Sequence, residues 1–403
     1  MNNYLAGAAI LSILALTSIF IFKSPVSPQR QRCSLRGSCP GLSFPSLRPS
    51  PRAPTPNLLI ATHARNVDVA ASQGCYHTIT FAIPNAIVGG FGDRLKGLVT
   101  AYSLALATKS GFRVEWRHPY DLETFFHLPH ALPSNASAVD WTARPPAKVS
   151  HIIDRQPTFD GDYMLPNLLA CNSSVDLRLH TNIQLWQGVL VRPEVQSTVA
   201  HLGLVGLAEM QQFRVMVNAL FSRPRLRLKD AVNQLQDALG PAGTRYAGVQ
   251  IRTGGDGTLF QDPKRHPIDS ARCFAAKAAE LVANGTVKAV YLTSDLADAT
   301  VAFGQAWQQL FQGHPVPPRI VQAPGAILHI DRSDTQQLGL DIDTAQAAWL
   351  KSVADWWMLH GAHAHVVSQS GFGMTAAWAS QAPYYFKFNE TRGQCAFDIM
   401  HVA

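Results

Sequence analysis

Three short stretches carry residues able to grip an anion, and each stands where a strand would run into a turn. The first is GGFGDRLKG at 89–97. Gly89, Gly90 and Gly92 let the backbone come close to a ligand, and a helix start offers N–H groups that lack intrahelical partners. The spacing matches neither the dinucleotide fingerprint nor the Walker loop. The second is VQIRTGGDG at 249–257, where a buried strand ends in Arg252 and drops into Thr253, Gly254 and Gly255. In open α/β sheets, ligands bind beyond the carboxyl ends of strands, and a guanidinium placed there can hold a diphosphate bidentately. The third is VVSQSGFGMTAAW at 366–378, where Ser368, Ser370 and Gly371 precede a small-residue helix. Each stretch also has a plainer reading. Asp93 suits an N-cap and Arg94 a surface charge. Arg252 suits an internal ion pair, and Ser370 a helix cap. Three strand ends of matching design in one chain favour a phosphate ligand.

The elements that must position these residues are legible as alternating runs. HTITFAI (77–83) reads as a strand, Asp93–Lys109 as a helix and FRVEW (112–116) as a strand, a βαβ-type start. Residues 118–185 are less regular. A helical period returns at 207–222 through Phe213, Val217, Leu220 and Phe221, and again at Leu228–Leu239. From there the pattern is regular. Strands are expected at 245–251, 287–294, 319–322, 363–368 and 384–388, with helices at 270–285, 298–311, 344–361 and 373–380. Repeated β–α–β units imply doubly wound parallel sheets. Two such halves give an α/β fold of two Rossmann-like domains facing a cleft, at 68–235 and 236–403.

The chain of 403 residues has a formal charge of +7, which raises nucleic acid as a partner. The distribution excludes it as the main reading. Residues 1–67 hold seven Lys and Arg and no acid, which leaves 27 basic and 27 acidic residues in the remainder. After a short tail at 1–3, residues 4–22 form a 19-residue uncharged run, long enough to span a hydrocarbon core of about 30 Å. No basic residue precedes it, so an uncleaved anchor is favoured over a signal peptide. Residues 23–67 follow as a proline- and arginine-rich stem. Counting basic flanks places the body in the cytoplasm. The sequons at Asn135, Asn172, Asn284 and Asn389 and the even count of six cysteines point instead to a lumenal body. Cys75, Cys171, Cys273 and Cys395 allow three pairings.

Several features carry less. Asp160-Gly161-Asp162 has the DxD form of a metal motif but no apolar strand before it. Asp341-Ile342-Asp343 suits a helix start. His360, His363 and His365 straddle a helix end and a strand, so zinc is not expected. Trp356 and Trp357 read as packing.

Taken in order, GGFGDRLKG, IRTGG with HPI at 266–268, and SQSGFGMTAA resemble the GDP-fucose-dependent fucosyltransferase superfamily. That group contains the α1,6-, protein O-, plant and nodulation-type enzymes. The likeness covers about 75–390 in patches and leaves out 118–225. It implies a GT-B fold, inversion at the sugar carbon, no required metal or other cofactor, and GDP-fucose as donor. Arg252 then corresponds to the arginine on the donor's β-phosphate, and Ser370 to the phosphate-contacting serine. Ser368 and Gly371 belong to the same cradle. Asp295 and Asp355 fall near the nucleoside, where a carboxylate accepts from guanine N–H groups. Gly90, Phe91, Gly92, Asp93 and Arg94 match the loop that closes on the donor, though many relatives have Asn at the place of Asp93. Asp256 and Asp262 lie where one branch carries a general base, and either, or neither, would serve here. His266 is a candidate acceptor contact. The expected protein is a Golgi single-pass transferase acting on a glycan or glycoprotein hydroxyl. The rival readings are another nucleotide sugar, or an inactive glycan-binding scaffold of the same fold.

Overall fold

The computed structural model describes residues 53–75, 77–83, 89–129, 148–151, 165, 168–170, 176–256, 261–327, 341–389 and 395–402. The expected anchor at 4–22, Asn135, Asn172 and the Asp160–Asp162 motif lie outside them. Among the described residues no helix is long and apolar enough to cross a membrane.

The amino-terminal half is built on a four-stranded parallel sheet. Its strands are β1 (Thr78–Ile83), β2 (Gly111–Trp116), β3 (Lys148–His151) and β4 (Asp176–His180), in the order β2-β1-β4-β3. Helix α1 (Pro56–Ser72) comes first, inside the segment whose composition suggests a stem. Thr55 caps it, and Leu59, His63 and Val67 are buried at four-residue spacing. Helix α2 (Phe91–Thr108) joins β1 to β2 and is buried along nearly its whole length. Its run of Gly, Ala, Ser and Thr makes this possible, because small side chains let neighbours approach on every side. A Cβ on Gly97 would lie 1.7 Å from the Thr181 carbonyl oxygen. Helix α3 (Glu209–Leu220) closes this half.

The carboxyl-terminal half carries a six-stranded sheet. Its strands are β5 (Tyr246–Ile251), β6 (Ala289–Ser294), β7 (Arg319–Val321), β8 (Ala364–Val367), β9 (Tyr384–Asn389) and β10 (Ala396–His401). The order is β10-β9-β8-β5-β6-β7, parallel except for the β9–β10 pair. The helices are α4 (Leu226–Leu239), α5 (Ala271–Ala283), α6 (Ala297–Leu310), α7 (Ile342–His360) and α8 (Gly371–Ala379). Helix α4 buries Leu228, Val232, Leu235 and Leu239 on one stripe, as a surface helix should. It packs on α7, β6 and β7. Its first ten residues therefore belong with this sheet, ahead of the boundary at 235/236 expected from sequence. Helix α5 stops at Asn284, and Gly285 follows at φ +74°, the left-handed position expected of it. Asp341 caps α7 by accepting from the Thr344 amide at 2.7 Å. Cys273 of α5 is bridged to Cys395 at the start of β10, and Cys75 is also disulfide-bonded.

The halves are joined by a continuous apolar core. Phe91 at the start of α2 is buried against Trp116 of its own half and against Trp349, Trp356 and Phe372 of the other, with ring centroids 5.5–6.1 Å apart. Helix α3 crosses the junction and holds the carboxyl end of α8. Arg214 donates to the carbonyls of Trp378 (3.4 Å) and Ala382 (3.3 Å), and Asn218 to that of Ala379 (3.4 Å). A cation suits that end of a helix dipole.

Candidate functional site

The order of the second sheet puts β8 and β6 on either side of β5. The chain leaves β5 toward β6 and leaves β8 toward β9, so the carboxyl ends of β5 and β8 form a topological switch point. Arg252 and Ser368 follow those two ends directly. The Ser368 hydroxyl accepts from the Arg252 amide at 2.8 Å and sits 3.4 Å from the Gln250 carbonyl. The Ser370 amide donates to the Ser368 carbonyl at 2.8 Å. Ser368, expected in the phosphate cradle, is thus a wholly buried staple between strand ends. Ser370 is the N-cap of α8, and its hydroxyl makes no capping bond to its own helix.

Arg252 is held by two carboxylates. Its Nε and Nη2 donate to Asp262 Oδ2 at 3.0 and 2.6 Å, and Nε lies 3.3 Å from Asp295 Oδ2. Arg265 Nε reaches the same Asp262 oxygen at 3.2 Å. The Asp262 side chain has no exposed surface, while that of Arg252 keeps 13%. Asp262 therefore orients Arg252. This carboxylate, one of the two candidate bases, is thus engaged in bracing Arg252. Asp295 is engaged in the same loop. Its Oδ1 accepts from the Thr253 amide (2.8 Å) and hydroxyl (2.9 Å), and its Oδ2 from the Gly254 amide (2.8 Å). It shapes the turn after β5, at a position the resemblance puts near the nucleoside. Gly254 (φ +65°) is required there, since a Cβ would lie 2.0 Å from the Pro263 carbonyl oxygen. The amides of Arg265 and His266 both donate to the Thr253 carbonyl, closing a hairpin in which Asp256 pairs with Gln261. The His266 ring is half-buried and edge-on to Phe388 at 5.2 Å.

Across the junction, the glycine turn abuts this cradle. A Cβ on Gly92 would lie 2.2 Å from the Gly371 carbonyl oxygen, and one on Gly371 would lie 2.7 Å from Asp93 Oδ1. The amino ends of α2 and α8 therefore meet backbone to backbone, with Gly90, the N-cap of α2, beside them. Two positions here turn inward, against the expectation that they touch the donor. Phe91 is the aromatic hub described above. Arg94 is buried under Trp116, donating to the carbonyls of Gly89 (2.9 Å) and His118 (2.5 Å), so it braces the turn from behind. Asp93 faces outward with 42% of its side chain exposed, paired to Lys96 at 2.9 Å. Sequence reasoning passed over Lys96. Its spacing from Asp93 on the outer face of α2 was the available signal.

Asp355 lies deeper, beneath the β6 edge. It accepts from the Tyr291 hydroxyl, from Thr293 Oγ1 (3.0 Å) and from Lys351 Nζ (2.7 Å). Burial, with the Asp355 carboxylate beside it, holds the Tyr291 phenol well above the ordinary tyrosine range. Asp355 is buried and met by three internal donors, so it anchors Lys351 and Tyr291 instead of presenting an open acceptor to a base. Among the described residues, no group of three or more His, Cys, Asp or Glu is placed to hold a metal ion. His360 bonds Asn218 and His365 bonds Ser380, so each ring has its own internal partner.

Fold and site together define an α/β protein of two apposed, mainly parallel sheets, with a seam where two helix amino ends meet. A point mutant of the FUT1 protein of Arabidopsis thaliana, solved in complex with GDP, shares this fold. It has a TM-score of 0.54 over 88% of this chain and 85% of that one, at 14% identity. A NodZ alpha-1,6-fucosyltransferase soaked with GDP-fucose matches at a TM-score of 0.43 and 12% identity, over 81% and 99% of the two chains. POFUT1 in complex with GDP-fucose matches at 0.41 and 12%, over 77% and 97%. No family model and no curated protein matches the chain. The superfamily resemblance read from the motifs thus holds at the level of the fold.

Proposed function

We propose that this chain is a glycosyltransferase that moves fucose from GDP-fucose to a hydroxyl of a glycan or glycoprotein, with inversion and without a metal ion. The observation that carries this is the seam itself. Arg252, the uncommitted Ser370 hydroxyl and the amino ends of α2 and α8 converge at one switch point. The fold is one in which a solved structure is in complex with GDP. A guanidinium preset by Asp262 meets the charge that develops on the departing diphosphate. Fixed groups of this kind stabilise a transition state without reorganising. The N–H groups at the start of α8 and the Ser370 hydroxyl share that load. Residues 4–22 serve as a membrane anchor and the body is lumenal, in the Golgi. The sequons and the cysteine pairing support that placement.

Calorimetric titration of the full chain in detergent with GDP, UDP and CMP, with and without EDTA, tests the reading beside Arg252→Ala. Binding of GDP alone, indifferent to EDTA and lost in the variant, is expected. A preference for UDP overturns the donor assignment. Failure of a folded protein to bind any of the three makes it a scaffold.

A further inference from the structure

An attacking hydroxyl must lose its proton, and the structure narrows the group that receives it. Asp262 is buried under two guanidiniums, Asp295 is bound to the turn it shapes, and Asp355 sits among internal donors. Asp93 differs from all three. Its carboxylate is 42% exposed, and it lies at the seam itself. Glycines stand on both sides of it. A Cβ on Gly89 would come within 3.0 Å of Asp93 Cβ, and one on Gly371 within 2.7 Å of Oδ1. Side chains at either position would push the carboxylate out of place. Lys96 binds Oδ1, and among the described residues no bond is made by Oδ2. The Asn182 amide faces the same glycine turn, 3.0 Å from where a Cβ on Gly89 would lie. Asp93 also belongs to the half opposite Arg252.

We propose that Asp93 takes the acceptor's proton, an inference that rests on the donor reading above. The acceptor oxygen forms a bond to the anomeric carbon of the sugar. The bond from that carbon to the β-phosphate oxygen breaks, and its electron pair leaves with GDP. The hydroxyl proton passes to Asp93 and from there to water.

The test needs no natural acceptor. Full-length wild type and Asp93→Asn are given GDP-fucose, with water as the acceptor, and GDP release is followed with and without azide. Azide attacks without losing a proton, so it bypasses a missing base. In Asp93→Asn, GDP binding is expected to stay within a few-fold of wild type, and hydrolysis to fall by about 100-fold or more. Azide is expected to restore GDP release in the variant, with the fucosyl azide as product, and to change wild type little. Hydrolysis at the wild-type rate in Asp93→Asn overturns the proposal. So does a loss that azide does not repair, and so does loss of GDP binding, which would make Asp93 a donor contact. If wild type itself neither binds nor releases GDP, the donor reading fails and the proposal falls with it. The titration separates that case from the others.

Discussion

Replacing Asp262 by Asn keeps the shape of the side chain and removes one buried negative charge. In the structure that charge faces Arg252 at 2.6 Å and Arg265 at 3.2 Å. A unit pair with centres about 4 Å apart is worth roughly 4 kcal/mol at an effective dielectric of 20. Desolvating the carboxylate takes back much of it. The Arg265 pair adds little, because 43% of its side chain is in solvent. Breaking the buried pair leaves Arg252 with only the longer Asp295 contact at 3.3 Å, and on the order of 3 kcal/mol of stability is lost. Arg252 also loses the brace that aims it. A hydrogen bond to a charged group contributes about 1.5–3 kcal/mol, so GDP affinity should fall by about 10-fold in Asp262→Asn and about 100-fold in Arg252→Ala. Calorimetry gives both affinities, and thermal denaturation gives the stability loss. The dependence of GDP-fucose hydrolysis on pH should keep its acid limb in Asp262→Asn. If that limb disappeared while GDP binding stayed intact, Asp262 would be a base after all. If affinity and melting temperature were both unchanged, the bracing role would be wrong.

Gly92→Ala places a methyl 2.2 Å from a backbone carbonyl that no rotamer can relieve. The helix amino ends must part, and a loss of about 1–3 kcal/mol together with weaker GDP binding should follow in melting and calorimetry. Burial pushes the imidazoles of His63 and His360 down to about 4 and that of His365 to about 3. Each is held neutral in the folded protein while the unfolded chain takes up a proton below about 6.5. Stability should therefore fall as pH drops from 6.5 toward 4, and a melting temperature flat across that window would contradict it. Asn284 is exposed, its Oδ1 held by the Thr286 amide and hydroxyl, whereas Asn389 donates to Asp398 at 3.1 Å in a strand. In a secretory host, Asn284→Gln should remove one glycan by gel mobility, and Asn389→Gln none.

Where periodicity and burial agree, the fold was legible in the residues. The four-residue stripe of α4 and the continuous apolar run of β5 are read directly, and Gly285 marks the end of α5. Helix α1 was hidden because prolines and arginines dominate the segment around it. Its inward face mixes Leu59 and Val67 with a histidine. Strand β10 was missed because it is only half-buried, and its place is set by antiparallel pairing with β9. In the site, Arg252, Ser370 and the glycine turn fall where the motifs suggested. Motif membership said nothing of direction, however. Phe91, Arg94, Leu95 and Leu98 share one helical face and turn inward, while Asp93 and Lys96 share the other. That phase was available in the residues, and it separates bracing groups from those that meet a ligand.

Helix α8 has a further consequence. Its amino end is built against Gly92 and Asp93, and its carboxyl end is gripped by Arg214 and Asn218. Both sets of partners come from the amino-terminal half, and the aromatic junction around Phe91 runs beside them. The carboxyl-terminal sheet therefore lacks the walls of its own cradle. Heating should melt the two halves in a single cooperative step. Residues 236–403 expressed alone should expose Trp349, Trp356 and Phe372 to water and aggregate. The seam between the helix amino ends is a joint product of both halves, assembled only once the whole chain has folded.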